Sequence, residues 1–324
     1  MEKLWRYALM LPLWCGLCAC AAELPLDAFA SRIEIRTFTS QTLSDEQFLS
    51  GDKQGPSVTL AGELRFPRQN AAGKLPAAII IHGSGGINSA SQSWAYELNQ
   101  AGIATFMVDS FSGRGLTQVS TDQAKLGRFA GVLDAFRAVE ELALHPRIDA
   151  NRIALIGTSR GGTAVIYTAM RRFQQAWSPQ FKALATFPLY PSCFDRLDQD
   201  EDITVPIHAF HGEIDDYASK EQCKSWLKRL ASAGRVVSSV EYKNAPHSFD
   251  NLLGSTTPVA SMGAQSTRQC HISEQSGLLV NTDEKKPFTY QDRCVTYHPQ
   301  TGYEPTATAA VHQAVLDALK QLLK

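Results

Sequence analysis

The chain has 324 residues, 44% of them hydrophobic and 19% charged, with 31 basic and 32 acidic side chains. That balance suits a globular protein with one large core, and near-neutrality argues against a nucleic-acid or anionic-membrane partner. No stretch in the body of the chain is apolar and long enough to span a bilayer.

The first 22 residues differ from the rest. Lys3 and Arg6 precede the apolar run 8–14, and small residues continue to Ala22, as in a secretory signal peptide. Two exits are open. Ala19-Cys20-Ala21 resembles a simple cleavage site, and Leu17-Cys18-Ala19-Cys20 resembles a lipobox that would lipidate Cys20. The first is favoured; the second would supply the only membrane anchor. Either route exports the protein, to the periplasm or its membrane in a Gram-negative bacterium. Of seven cysteines, Cys15, Cys18 and Cys20 belong to this segment, leaving Cys193, Cys223, Cys270 and Cys294. An even number in an oxidising compartment predicts two disulfides among three possible pairings. Zinc is the alternative, but no pair has the CxxC spacing of a zinc site.

Residues 33–38 and 58–66 read as an antiparallel pair at a sheet edge. From Leu75 onward apolar runs alternate with amphipathic stretches, the pattern of a mostly parallel sheet covered by helices. Strands are predicted over 77–81, 103–108, 152–156, 183–187, 207–210 and 236–242. Helices are predicted over 94–101 and 122–144, with Pro146 just beyond the latter. Val311, Val315, Leu319 and Leu323 recur every four residues and predict a closing helix. Residues 251–303 break this rhythm: they are polar, contain Cys270 and Cys294, and are too long for a structureless loop in a compact domain. A Cys270–Cys294 bridge would make them an ordered lid or rim. No internal repeat or second domain is evident, so 23–324 reads as one domain.

Gly157-Thr158-Ser159-Arg160-Gly161 follows the apolar strand at 152–156 and precedes a helical run. This is G-x-S-x-G in the strand–turn–helix context that exposes a serine nucleophile, although a capping serine gives the same letters. A serine hydroxyl needs a base, and the base needs an orienting acid. In this fold they follow in the order Ser, Asp, His. Asp215 stands just past the strand at 207–210, where open α/β sheets present functional groups. Asp216 is the alternative, although it suits the cap of the helix starting near Ser219 better. His247 lies in the loop after the last strand. His208 and His211 are three apart in a strand and point to opposite faces, against a metal site. The oxyanion hole would combine the N–H of Ser84 or Gly85, in His82-Gly83-Ser84-Gly85-Gly86, with that of Arg160. The glycine run lacks the ending of a phosphate loop and is no dinucleotide fingerprint, so no cofactor and no metal are expected.

Together, residues 58–64, 82–86, 109–111, the Ser159 elbow, 190–193, 212–216 and the His247 loop resemble the dienelactone-hydrolase-like branch of the α/β-hydrolase superfamily. The resemblance implies an α/β-hydrolase fold: a mostly parallel central sheet with helices on both faces. It departs from true dienelactone hydrolases, whose nucleophile is cysteine, and it carries the additional 251–303 segment. In this fold Cys193 and Cys223 flank neighbouring strand ends, which implies Cys193–Cys223 and leaves Cys270–Cys294. Arg114 also follows a strand and could contact an anionic group, though a solvated loop arginine is the favoured reading. The expected activity is cleavage of a small carboxylic ester by Ser159, His247 and Asp215 through an acyl-enzyme. The alternatives are a peptidase or amidase with the same triad, and an inactive binding protein on the same fold.

Overall fold

A computed structural model describes residues 32–68 and 73–323. The expected signal segment, with Cys15, Cys18 and Cys20, lies outside the described residues. Strand β1 (Ile33–Gln41) pairs antiparallel with β2 (Ser57–Arg65), and helix α1 (Asp45–Ser50) lies between them. Then come β3 (Leu75–Ile81), α2 (Ser89–Gln100), β4 (Ala104–Asp109), α3 (Ala130–Ala143), β5 (Ile148–Thr158), α4 (Arg160–Tyr167), α5 (Arg171–Trp177), β6 (Thr186–Leu189), β7 (Ile207–Gly212), α6 (Lys220–Ser232) and β8 (Val237–Tyr242). These strands form an eight-stranded sheet in the order β1-β2-β4-β3-β5-β6-β7-β8. β2 runs antiparallel to β4, and every pair from there to β8 is parallel. This is the α/β-hydrolase architecture.

Alternation along the strands divides the apolar side chains between two faces. Ala77, Ile79 and Ile81 of β3 join the core beneath α1 and α3–α6. Ala78 and Ile80 join the opposite core, which α2 and the closing helix α7 (Pro305–Leu322) cover with Trp94, Leu98, Val311, Val315 and Leu319. The predicted elements agree with this order, with boundaries shifted by a few residues; the strand expected over 183–187 becomes Thr186–Leu189.

Two expectations change. The helix expected over 122–144 begins only at Ala130, after a single 3-10 turn at Gln123–Lys125. Gly127 lies so close to β1–α1 that a Cβ there would stand 2.6 Å from the Leu43 carbonyl oxygen. The backbone groups that a helix would have used bond elsewhere: Asp45 Oδ1 accepts from the Phe129 N–H at 3.1 Å, and the Arg160 guanidinium donates to the carbonyls of Leu126 and Gly127. Side-chain partners there outcompete helical hydrogen bonds. Arg114 is neither solvated nor at a ligand site. Its side chain is 3% exposed and forks onto Asp134, itself fully buried, at 2.8 and 2.9 Å. It also donates to the carbonyls of Ser110 and Gln41, so it ties three elements together.

The polar 251–303 segment carries seven short strands: β9 (Val259–Ala260), β10 (Gln265–Ser266), β11 (Ile272–Gln275), β12 (Leu278–Asn281), β13 (Lys286–Pro287), β14 (Thr296–Tyr297) and β15 (Gln300–Thr301). They form three small antiparallel sheets, β10-β14, β11-β12-β13 and β15-β9. Cys270–Cys294 closes this insert, and Cys193–Cys223 joins the turn after β6 to α6. Arg172 on α5 grips Glu274 of β11 through two hydrogen bonds at 3.0 and 2.8 Å. Insert and sheet are therefore mechanically continuous.

Removing one member of a buried ion pair strands the other without compensation. Arg114→Leu should cost about 3–5 kcal/mol of unfolding free energy by urea denaturation. The double change Arg114→Leu with Asp134→Leu should cost clearly less than the single one.

Candidate active site

Ser159 sits between β5 and α4 with φ 54° and ψ −118°, a backbone conformation that side-chain-bearing residues seldom adopt and that persists only when its surroundings enforce it. The enforcement is visible. Ser159 N–H donates to the Leu189 carbonyl at 2.9 Å, which ties the turn to β6. A Cβ on Gly161 would stand 2.1 Å from the Ile81 carbonyl oxygen, so only glycine lets α4 begin this close to β3. The serine hydroxyl makes no helix-capping bond. It faces outward instead.

Ser159 Oγ lies 2.8 Å from His247 Nε2, and His247 Nδ1 lies 2.8 Å from Asp215 Oδ2. His247 and Asp215 are buried, at 2% and 5% exposure. Asp215 Oδ1 accepts from the N–H groups of Tyr217 and Ala218 at 2.8 and 3.0 Å. Burial alone would raise its pKa, but the imidazole and these two N–H donors outweigh it and hold the carboxyl below its ordinary 3.8. With Nδ1–H donating to this carboxylate, Nε2 is left to accept from the serine hydroxyl. Asp216 stands apart. It does not cap α6; its Oδ1 accepts from the Gln300 N–H of β15 at 2.7 Å.

The loop after β3 is held by His82. His82 Nε2 accepts from the Ser110 N–H at 3.1 Å, which leaves Nδ1–H to donate to the Gly83 carbonyl at 2.8 Å. Burial depresses its pKa, so the ring is a neutral strut with a defined tautomer. Ser84 of this loop and Arg160 both border a cavity beside Ser159. Arg160 is the first residue of α4, where a helix leaves its N–H groups without an internal acceptor. Those two N–H groups are the candidate oxyanion donors. Among the described residues no group of three or more His, Cys, Asp or Glu side chains could hold a metal.

Sequence reasoning missed a second layer. Asp250, three residues after His247, is fully buried and accepts from Tyr190 Oη–H at 2.6 Å and Trp94 Nε1–H at 2.8 Å. The Tyr190 ring stands edge-on to His247 with centroids 4.7 Å apart. Spacing from His247 could have pointed to Asp250; nothing local pointed to its partners. The insert also reaches the site. Its last strand bridges the His247 segment, with the Gly302 N–H donating to the His247 carbonyl at 3.1 Å. Gln265 clasps Gln123 through two hydrogen bonds at 2.8 and 2.6 Å, and Arg128 Nη2 donates to Thr267 Oγ1 at 3.1 Å.

The sequence pattern of the dienelactone hydrolase family matches residues 61–276. A Bradyrhizobium protein named "Probable 2-oxo-3-(5-oxofuran-2-ylidene)propanoate lactonase" is 24% identical over 213 residues, which span 61% of this chain and 83% of that protein. Among solved structures, a dienelactone hydrolase-like promiscuous phosphotriesterase from metagenomic libraries is 16% identical, with a TM-score of 0.56 over 90% of this chain and 99% of its own. The structure named m3DLH is 18% identical, with a TM-score of 0.59 over 90% and 99%. At those identities the two structures speak to the fold.

The folded-state pKa of Asp215 is depressed, so its stabilisation is complete above the ordinary value of 3.8 and is lost as pH falls through the folded value. The stability gap between the wild type and Asp215→Asn should therefore shrink steadily in urea melts taken at successively lower pH below 3.8. A gap that widens on acidification would contradict the assignment.

Proposed function

Because the chain belongs to the dienelactone hydrolase family and is a hydrolase, we propose that it is a serine hydrolase cleaving carboxylic esters through an acyl-enzyme, with Ser159 as nucleophile, His247 as base and Asp215 as the orienting acid. The observation that carries this reading is the unbroken line from Ser159 Oγ through both imidazole nitrogens to Asp215, 2.8 Å at each step. Ser159 Oγ attacks the ester carbonyl carbon while His247 Nε2 takes its proton, and the carbonyl π pair moves onto oxygen. The N–H groups of Ser84 and Arg160, which border the cavity beside Ser159, would stabilise that oxyanion. As the carbon–oxygen bond to the leaving group breaks, His247 returns the proton to the departing alkoxide. Water then repeats the sequence on the acyl-enzyme and releases the acid. Asp215 stays ionised throughout and stabilises the imidazolium that forms twice per cycle. The relative named as a lactonase supports an ester carbonyl, there an internal one, as the reacting group. Two disulfides in a chain of this size fit work outside the reducing cytosol, so we also propose that the enzyme is exported.

Ser159→Ala should lower kcat on a nitrophenyl acetate roughly a million-fold, and Asp215→Asn about ten-thousand-fold through loss of the correct tautomer. A fluorophosphonate probe should label Ser159, located by peptide mass spectrometry. Undiminished turnover in the Ser159→Ala protein, or labelling at another residue, would overturn the proposal.

A further inference from the structure

Asp250 is a buried carboxylate that the triad leaves unused. It has no exposed surface, and its two hydrogen-bond donors, Tyr190 Oη–H and Trp94 Nε1–H, are neutral. An ionised carboxylate in such a place needs a positive charge nearby or shifts toward its neutral form. Burial does raise its pKa, while the two donors and the charge of a protonated His247 act in the opposite direction. The imidazolium formed during turnover is thus a counter-charge for Asp250. The effect is reciprocal: a carboxylate that gains from the imidazolium stabilises it by the same amount.

Tyr190 is the link between the two. Asp250 Oδ1 holds its hydroxyl at 2.6 Å, and its ring stands edge-on to His247 with centroids 4.7 Å apart. Tyr217 faces the same imidazole from the loop after β7, with centroids 4.5 Å apart, so the base is held by two rings. Tyr190 has φ 39°, and Ser248, next to His247, has φ 61°. Residues with side chains seldom adopt either, and such conformations persist only when tied down. For Tyr190 the ties are its N–H, donating to the Phe210 carbonyl at 2.6 Å, and its bond to Asp250. The side chains of Thr158 and Ser248 also reach the Tyr190 hydroxyl, so one phenol joins the sequence neighbours of Ser159 and His247. Burial and Asp250 push that phenol pKa well above its ordinary 10, so it stays protonated and donates. Behind Asp250, the Trp94 ring of α2 meets His312 of α7 with centroids 4.2 Å apart. Burial pushes His312 down to about 4, so it adds no charge at neutral pH. The groups acting on His247 are therefore Asp215 and Tyr217 from the loop after β7, Tyr190 from the turn after β6, Ser159 at the elbow, and Asp250.

We infer that Asp250 is a positioning residue for the base: through Tyr190 it fixes the plane of the His247 ring, and its charge stabilises the imidazolium formed in each half of the catalytic cycle. The inference rests on the reading of His247 as the base. Asp215 fixes the tautomer of His247 from Nδ1, and Asp250 acts on the same ring from its face without touching it.

The test is Asp250→Asn, which keeps the shape and removes the charge. On a nitrophenyl acetate its kcat should fall about three- to tenfold with KM within about twofold of the wild type. Losing a negative charge makes the imidazolium easier to deprotonate, so the acid-side midpoint of the kcat/KM profile should move down by about half to one pH unit. A merely structural residue would lower activity without moving that midpoint. Tyr190→Phe keeps both carboxylates and breaks only the link; it should also lower kcat at unchanged KM and move the midpoint in the same direction, and it decides the matter if the asparagine variant does not fold. Titration of the His247 ring protons by NMR in the Ser159→Ala protein, with and without Asp250→Asn, reads the same shift without turnover. A downward shift there with no ester cleaved by the wild type would overturn the serine-hydrolase reading and keep the coupling of Asp250 to His247. An unmoved His247 midpoint, or wild-type kcat in the variant, would overturn the inference and leave the triad standing.

Discussion

The backbone of Ser159 is the constraint on which the site depends. It is held at φ 54° because β5 must end and α4 must begin within one residue, while α4 presses on the C-terminal ends of β3 and β6. Relaxing that conformation would move three things together: the serine hydroxyl, the first N–H groups of α4, and the distance from α4 to the 83–86 loop. The strain is local, but its support is spread across the sheet. Parallel strands buried on both faces supply that support, since each neighbouring strand fixes the height of the next.

Around this turn the protein treats its buried polar groups in two ways. Most are fully satisfied: Arg114 with Asp134, Asp250 with Tyr190 and Trp94, and His82 with Ser110 and Gly83. Such networks rigidify a structure because every member has one satisfactory arrangement. Others among the described residues lack a hydrogen-bond partner: Arg128 Nη1 and Tyr217 Oη near Ser159, and both ring nitrogens of His211, Arg172 Nε, Arg229 Nε and Asp195 Oδ2 elsewhere.

The insert bears on both the frame and the cavity beside Ser159. It leaves the sheet after the His247 loop, passes through a disulfide-closed excursion, and returns to bond the His247 backbone. Along the way its Gln265 and Thr267 wall the cavity beside Ser159, while Asp216 anchors its last strand. Changes in the insert can thus alter what the cavity accepts while the strand-end positions of Ser159, Asp215 and His247 stay supported by the sheet.

The sequence alone determined the order of strands and helices, the G-x-S-x-G turn and the strand-end positions of Asp215 and His247, because hydrophobic period and glycine placement are local signals. It also carried the two disulfide pairings, once the family resemblance supplied neighbouring strand ends. Only the tertiary structure decided where Arg114 points, where α3 starts, what Asp216 binds and which insert residues reach the site. Each of those outcomes is a competition between partners far apart in the chain: Arg114 with Asp134, Phe129 with Asp45, Asp216 with Gln300, Gln123 with Gln265. No periodicity records such pairings, since they arise only when the sheet brings distant loops to the same edge.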